Sequence, residues 1–196
     1  DAEGSDDKGI TEAVKQVVVN CVLTEIDINT IAVYDLEYIF LQLRSTSIGE
    51  SSELRYICQN KVKHKKTETS CGSPIKVTIR LSDVTVIKDE KHDPHVKLVG
   101  DIGIVLKDPT VQLLNKYSME DLATGGDMFN LILDCVDYVY QGDQTFKGVD
   151  CPREELDEFL GNLTQQQFEG IKTFFETLPR LEHNVELNCP KCKNKS

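Results

Sequence analysis

Two segments near the start of the chain carry apolar residues at helical spacing. In ITEAVKQVVVNCVL the apolar positions that share one helix face are Ile10, Val14, Val17, Val18, Cys21 and Val22. In VYDLEYIFLQLRSTSIGE the corresponding positions are Leu36, Ile39, Phe40 and Leu43. We predict a helix in each segment, within an N-terminal helical region, 1–50. The second helix should be about three turns long, end before Gly49 and place its apolar face at the heart of the core.

The pattern changes to alternation in the next region, 51–107. Apolar and polar residues take turns in the segments ELRYICQ, PIKVTIRLSDVTVI and VKLVGDIGIVLK. Alternation of this kind is typical of strands with one buried face, and Gly100 and Gly103 indicate turns or bulges. We therefore predict a small antiparallel sheet of about three to five strands here.

Helical spacing returns in a C-terminal helical region, 108–182. The segments that show it are TVQLLNKY, DMFNLILDCVDYVY, PREELDEFLGNL and TQQQFEGIKTFFETLP. A final alternating segment, EHNVELNC, predicts a terminal strand that delivers the last cysteines, 183–196. The predicted fold class is α+β, a mainly helical domain with a small antiparallel sheet and a zinc-ribbon-like cysteine site, forming one integrated domain.

Composition and charge narrow the classes of protein that fit. Apolar residues make up 39% and charged residues 28% of the 196 positions, which is ordinary for a soluble globular protein. No apolar run approaches the roughly 20 residues that span a bilayer, so we expect a soluble, intracellular protein without a membrane anchor. The net charge of -11 opposes binding to nucleic acid.

Cysteine usage points to a metal. The chain has seven cysteines, an odd number at irregular spacing, which fits a reducing compartment better than a disulfide framework. Cys189 and Cys192 form a Cys-Pro-Lys-Cys pair, and a tetrahedral zinc site needs two further ligands. Cys58 and Cys71 are the candidates, because each adjoins a predicted strand.

The spacing of the first pair is unusual for a zinc site. Twelve residues separate Cys58 from Cys71, whereas a tight cysteine turn needs two to four. The polar segment KVKHKKTETS could form a hairpin tip that absorbs the excess, and Gly72 permits a tight turn. We predict structural zinc on Cys58, Cys71, Cys189 and Cys192. The alternatives are free thiols near an exposed tail, or His64 as a ligand instead of Cys71.

Other polar or reactive residues carry weaker signals. Cys21 and Cys135 lie on apolar helix faces and are predicted to be small core residues, while Cys151 has no evident partner. The segment KHDPH could bind a metal or simply form a polar turn, and KVKHKK could touch phosphate or be a solvated tip. No phosphate loop, nucleophile elbow or His-Glu-x-x-His motif is present in the sequence, which predicts no catalytic residue and no enzyme.

The last two predicted helices are rich in large apolar side chains. These residues are Leu156, Phe159, Leu160, Phe168, Ile171, Phe174, Phe175 and Leu178. Such a supply predicts either a protein-binding surface or burial in the core, and the sequence leaves both open.

The segment YDLEYIFLQLRSTSIGE resembles the signature of the baseplate hub assembly proteins of T-even-like bacteriophages. The likeness continues in order through VKQVVVNCV, CGSPIKVTIRLSDV, DMFNLILDCVDYVYQGD and LTQQQFEGIKTFFETLPRLEHNVELNCPKC. The resemblance implies a non-enzymatic late tail protein, an assembly chaperone that helps build the central hub by binding other hub proteins. It also implies that the four predicted zinc ligands match the family's cysteine positions.

The resemblance also sets expectations about location and chain ends. It places the protein in the host cytoplasm during assembly, and in the tail baseplate if it stays in the virion, without fixing an oligomeric state. Relatives usually have sequence before residue 1 and after the last cysteine pair, so we expect a chain shortened at both ends. Two other classes remain as alternatives: a zinc-ribbon regulator that binds nucleic acid, and an enzyme with an unrecognised site.

Overall fold

The computed structural model describes residues 7–47, 49–64, 67–117, 122, 125 and 127–195. The described helices are α1 Asp7–Cys21, α2 Val33–Ser47, α3 Val111–Lys116, α4 Met128–Asp134, α5 Arg153–Gly161 and α6 Gln165–Glu176. The described strands are β1 Ser51–Ile57, β2 Lys61–His64, β3 Thr67–Ser70, β4 Pro74–Arg80, β5 Thr85–Ile87, β6 His95–Val99, β7 Ile102–Leu106, β8 Val136–Gln141, β9 Gln144–Lys147 and β10 Arg180–Glu182.

The chain divides into two units, each built from two stretches of sequence. The first unit is Asp1–Glu37 with Ile87–Arg180, and the second is Tyr38–Val86 with Leu181–Ser196. The prediction of one integrated domain stays a prediction. None of the described helices is both long and apolar enough to cross a membrane.

The first unit contains a four-stranded antiparallel sheet in the order β6, β7, β8, β9. The strand register lines up one row of apolar residues across it: Val96, Ile104, Val139 and Phe146. Val96 and Ile104 are buried, whereas half of Phe146 is exposed on the edge strand β9 (50%). Residues on this face of the sheet therefore become more exposed toward β9.

Helices α5 and α6 supply the other side of this core. Its buried members are Val96, Ile104, Leu106, Ile132, Leu133, Val136, Leu156, Leu160, Ile171 and Phe174. Helix α6 starts at a capping box, in which Thr164 accepts from the backbone N–H of Gln167 and the Gln167 side chain accepts from the Thr164 N–H. The helix approaches β6 so closely that a Cβ on Gly170 would lie 2.8 Å from a methyl group of Val96. Any larger residue at Gly170 would force the helix away from the sheet.

The second unit contains two antiparallel ribbons. Strands β1 and β4 pair in register from Ser51 opposite Arg80 to Ile57 opposite Pro74. Strands β2 and β3 pair from Lys61 opposite Ser70 to His64 opposite Thr67. The short strands β5 and β10 also pair with each other.

The α+β class is confirmed, but a mainly helical composition is not, because strands form a large share of both units. The segment DMFNLILDCVDYVY is helical only as far as Asp134, and its second half is β8. Val136, Tyr138 and Tyr140 alternate there, so the helical prediction missed a change of period. The predicted terminal strand EHNVELNC is also wrong: β10 ends at Glu182, and only an isolated bridge follows, from Asn188 to Lys195.

Burial corrects one prediction about the core and decides between two readings that the sequence left open. On α2 only Leu36 of the predicted inner face is buried, while Ile39, Phe40 and Leu43 are half-buried. The large apolar residues of α5 and α6 instead belong to the core of the first unit, either buried in it or packed against it. Of the two readings left open for those helices, burial is the one that the structure supports.

Candidate metal centre

Cys58 and Cys71 are brought together because the chain between them leaves as a hairpin and returns. Strands β2 and β3 form that hairpin, and their first pair joins Lys61 to Ser70. At its base the N–H of Cys71 donates to the carbonyl of Asn60 over 2.8 Å. With the hairpin set aside, only Gln59 and Asn60 lie between the two cysteines, which is the spacing of an ordinary cysteine turn.

Backbone hydrogen bonds close this first turn, which we call the first knuckle (58–60 with 71–73). The N–H of Cys58 donates to the carbonyl of Ser73 over 2.9 Å, and the N–H of Gly72 donates to the carbonyl of Cys58 over 3.1 Å. Gly72 has φ of +63°, a left-handed conformation that glycine adopts without steric cost. The glycine noted in the sequence therefore adopts the conformation of this turn without strain.

The second knuckle (189–194) repeats the same geometry. The N–H of Cys189 donates to the carbonyl of Asn194 over 2.9 Å, and the N–H of Lys193 donates to the carbonyl of Cys189 over 3.0 Å. Lys193 occupies the position equivalent to Gly72 and has φ of 60°. Two turns of matching hydrogen bonding therefore face one another, each presenting a pair of cysteines.

The four sulfur atoms converge on one point. All four lie within 4.8 Å of one another. Cys58 Sγ is 3.7 Å from Cys192 Sγ, and Cys71 Sγ is 3.8 Å from Cys189 Sγ. Zn–S bonds of about 2.3 Å in a tetrahedron require sulfur–sulfur separations of about 3.8 Å. Both distances are far longer than a disulfide bond, so the arrangement has the size of a metal cage.

The surroundings of the sulfurs are mostly closed to solvent. Cys58, Cys71 and Cys189 are buried, and the apolar side chains packed around them are Val62, Ile75, Val77 and Leu187. The amide of Asn60 donates to Cys192 Sγ at 3.5 Å, which restrains the least buried of the four ligands. An apolar shell with amide donors to sulfur is typical of a structural thiolate site.

Backbone amides favour the charged form of the second pair. N–H groups of Cys192 and Lys191 lower the pKa of the Cys189 thiol to about 6. The Asn60 amide lowers the pKa of Cys192 as well. At Cys58 the Asn60 N–H also lowers the pKa, but burial and the neighbouring thiols outweigh it and raise that pKa to about 12. Metal ligands must be thiolates, so these amide donors favour the form of the second pair that binds a metal.

The other metal candidates in the sequence do not form a comparable centre. The side chain of His64 lies outside the described part of the chain, and Cys71 holds the fourth position. In KHDPH, the backbone N–H and the ring of His95 both bond Asp93 Oδ1, at 2.9 and 3.1 Å, which makes a polar turn. Cys135 is buried as predicted, whereas Cys21 is exposed, contrary to the prediction that it is a core residue.

His92 points into the first unit instead of toward His95. Its ring stacks on Phe174 with centroids 4.9 Å apart, and Nδ1 lies 3.2 Å from Thr177 Oγ1. Nε2 lies 3.5 Å from Asp108 Oδ1, and the Tyr34 hydroxyl donates to the other oxygen of that carboxylate over 3.0 Å. Burial and this carboxylate raise the pKa of Tyr34 to about 12. The cluster resembles a catalytic arrangement in composition, but the stacked ring is enclosed and its polar atoms have partners.

A second polar cluster surrounds Asp134. Lys116, Tyr117 and Arg153 all donate to its carboxylate. Burial raises the pKa of Asp134, but these three donors outweigh it and hold the pKa below its usual value. Arg153 also contacts the side chain and carbonyl of Asn130, so it fastens the start of α5 to α4. The cluster is explained by packing of the first unit.

Sequence reasoning missed the parts played by Asn60 and Lys193 in the two knuckles. The signal for Asn60 was available, because Cys-Gln-Asn and Cys-Gly form one Cys-x-x-Cys-Gly motif once the polar segment 61–70 is removed. Lys193 carried no signal, since a left-handed lysine cannot be predicted from local sequence.

Deleting the segment 61–70 tests this description of the first knuckle. The shortened chain joins Asn60 to Cys71, and we expect it to bind the same amount of metal as the full chain, because the hairpin supplies no sulfur ligand. Metal content and thiol protection report the result. Replacing 61–70 by a Gly-Ser segment of equal length is the matched control. Loss of metal from both variants would show that the hairpin itself holds the site together.

The family model described as T4 bacteriophage base plate protein matches residues 2–196. No curated protein and no solved structure matches the chain.

Proposed function

Because the chain belongs to the T4 bacteriophage base plate protein family, we propose that it is a non-enzymatic assembly factor of the central baseplate hub. The match over residues 2–196 is the observation that carries this proposal. It confirms the resemblance at the level of the T4 baseplate family, and a baseplate protein has its place in the virion tail. The proposed step beyond the family is the hub role, exercised by binding other hub proteins in the host cytoplasm.

The edge of the first unit's sheet offers a surface for such binding. Phe146 belongs to the apolar row that is buried at Val96 and Ile104, yet it is 50% exposed, and nearby Val149 is 77% exposed. Strand β9 pairs with β8 and has no other partner strand among the described residues. An uncovered apolar side chain beside an open strand edge favours a protein contact by strand addition or apolar docking.

We further propose that the four cysteines hold structural zinc. An all-thiolate tetrahedral set selects zinc or iron over oxygen-preferring ions. With four sulfur ligands there is no open position for water or substrate, which is the arrangement of a structural ion. The zinc would fasten the segment after β10 to the β1–β4 ribbon and so shape the second unit.

Replacing Phe146 by serine tests the binding role. We expect the variant to remain folded with only a small loss of thermal stability, because the side chain is half exposed, but to reduce hub assembly in cells infected with phage carrying the change. Baseplate yield and copurification with known hub proteins are the measurements. Thr145→Ser on the same strand is the matched control. Normal baseplates with the Phe146 variant would exclude β9 as the contact.

Composition of the purified phage particle tests the assembly role separately. An assembly factor should copurify with hub proteins from infected cells and be absent from mature virions, whereas a permanent subunit should be found in both. Quantitative mass spectrometry of both samples distinguishes them. Binding to phage DNA without any hub protein would favour the nucleic-acid regulator instead.

A further inference from the structure

The outer edge of β1 in the second unit carries an unpaired row of backbone groups. Strand β1 pairs with β4 on one side, and no other described strand pairs with it. The N–H and carbonyl of Cys58 both bond residues on the β4 side, Ser73 and Gly72. The carbonyl of Glu50 accepts from the N–H of Leu81 on that same side. Backbone groups alternate in direction along an antiparallel strand. The groups that point outward therefore belong to Ser51, Glu53, Arg55 and Ile57.

Charges along this edge are unbalanced within one chain. Arg55 lies directly opposite Lys76 on β4, and both side chains are exposed. Like charges at opposed positions destabilise a strand pair. The carboxylate of Glu53 lies 3.8 Å from Lys76 Nζ, and none of the ion pairs among the described residues involves Arg55. Arg55 thus sits beside a cation without an anion of its own.

A second copy of the same strand would supply that anion. If two β1 strands pair antiparallel about a two-fold axis at Leu54, Glu53 of each lies opposite Arg55 of the other. Both residues have outward-pointing backbone groups, so this register also makes them hydrogen-bonded pairs. Ser51 then lies opposite Ile57. The hydrogen-bonding and charge requirements are satisfied by one and the same register.

We propose that β1 is a self-pairing edge, through which two copies of this chain form a dimer with a continuous sheet in the order β4, β1, β1, β4. The interface is isologous, since the same residues serve on both sides of the axis. Two Glu53–Arg55 pairs flank the axis on one face, and the Leu54 side chains meet on the other.

The other edge of the ribbon shows the opposite design. The outward-pointing residues of β4 are Lys76, Thr78 and Arg80. A two-fold axis through Thr78 would place Lys76 against Arg80, so self-pairing there brings cations together. Lysine and arginine on an exposed edge are a usual protection against strand addition. Self-pairing is therefore unfavourable at the β4 edge and favourable at the β1 edge.

The apolar end of β1 adds to the proposed interface. Ile57 is 58% and Tyr56 is 39% exposed. A cavity of about 450 Å³ adjoins this end of β1 and is lined by residues 55–60 together with Ile75, Leu187, Cys189 and Asn194. A second β1 strand would end beside this cavity and cover Ile57.

The dimer should be weak. A single strand pair of seven residues buries less than the roughly 1,600 Å² of a standard stable interface, so we expect a dissociation constant on the order of micromolar or weaker. This inference does not rest on the proposed hub role, because it concerns purified protein alone.

Sedimentation of the metal-loaded full chain tests the proposal with two charge reversals. We expect the parent chain to dimerise as its concentration rises toward about 1 mM. Glu53→Arg and Arg55→Glu should each weaken dimerisation by about tenfold or more, since each creates two like-charged pairs. An equimolar mixture of the two variants should associate again, because every facing pair is then opposite in charge.

Lys61→Glu is the matched control. It makes the same charge change as Arg55→Glu in the same unit, but off the β1 edge, and should dimerise like the parent chain. Circular dichroism and metal content verify that each variant is folded. A parent chain that stays monomeric, single variants that dimerise like the parent, or a mixture that fails to associate would each overturn the proposal.

Discussion

Removing zinc from the purified chain is expected to unfold the two knuckles and release the segment after β10. Structural zinc contributes an apparent binding free energy of roughly 10–16 kcal/mol in small peptides, which is comparable with the whole free energy of unfolding of a typical domain. In the second unit the cysteines form a buried cluster with Ile75, so removing the ion leaves the centre of that cluster without its cross-link. We expect one zinc per chain, lost on chelation.

Hydrogen exchange gives a site-specific measurement of this effect. The amides of Cys58, Gly72, Cys189 and Lys193 close the knuckles and should lose protection in the zinc-free chain, while amides of β7 should keep it. Cys189→Ser should behave like chelation. Cys151→Ser is the control, because that thiol bonds only the carbonyl of Lys147 and lies outside the site. Protein isolated without zinc, or containing iron instead, would contradict the assignment.

Truncating Phe174 to alanine is expected to lower the free energy of unfolding by about 3–5 kcal/mol. The side chain is 1% exposed, lies at the centre of the first unit's core and stacks on the ring of His92. Its loss leaves a cavity that the capped helix and the close Gly170 contact prevent from collapsing. Denaturant unfolding of the zinc-loaded protein measures the change.

Two other phenylalanines serve as internal standards. Phe40→Ala and Phe146→Ala remove the same atoms from half-buried and half-exposed positions, and each should cost less than Phe174→Ala. Equal losses at Phe174 and Phe146 would show that β9 is covered in solution. A loss of stability at Phe40 larger than the loss at Phe174 would show that α2 lies at the heart of the core, as its sequence pattern predicted.

Elements that depend on local pattern were predictable from the sequence. Helices α1, α2, α5 and α6 follow from apolar spacing and from start signals such as Thr164, and β1 and β4 follow from alternation. Strand β8 was not, because Leu131 to Val139 is apolar enough to satisfy either period. Its conformation is decided by pairing with β7, a contact distant in sequence.

The four cysteines of the candidate site were predictable, but the way the chain brings them together was not. Cysteine chemistry and a Cys-Pro-Lys-Cys pair were enough to nominate the four residues, and the structure brings their sulfurs together. The reason that Cys58 can act with Cys71 is a pairing between Lys61 and Ser70, which no local rule specifies. The same holds for burial on α2, where helical spacing identifies a face but not what covers it.

The order of the cysteines along the chain has a consequence for biosynthesis. Cys58 Sγ contacts Cys192 Sγ across 134 positions of sequence. A ribosome therefore releases the first knuckle long before the second exists, and the four cysteines can meet only after Cys192 has been made. Bringing the two knuckles together also has the entropic cost of closing a long loop. A chain interrupted before Cys189 has only half of the proposed ligand set, so a retained metal ion would distinguish chains that extend past Cys192 from shorter ones.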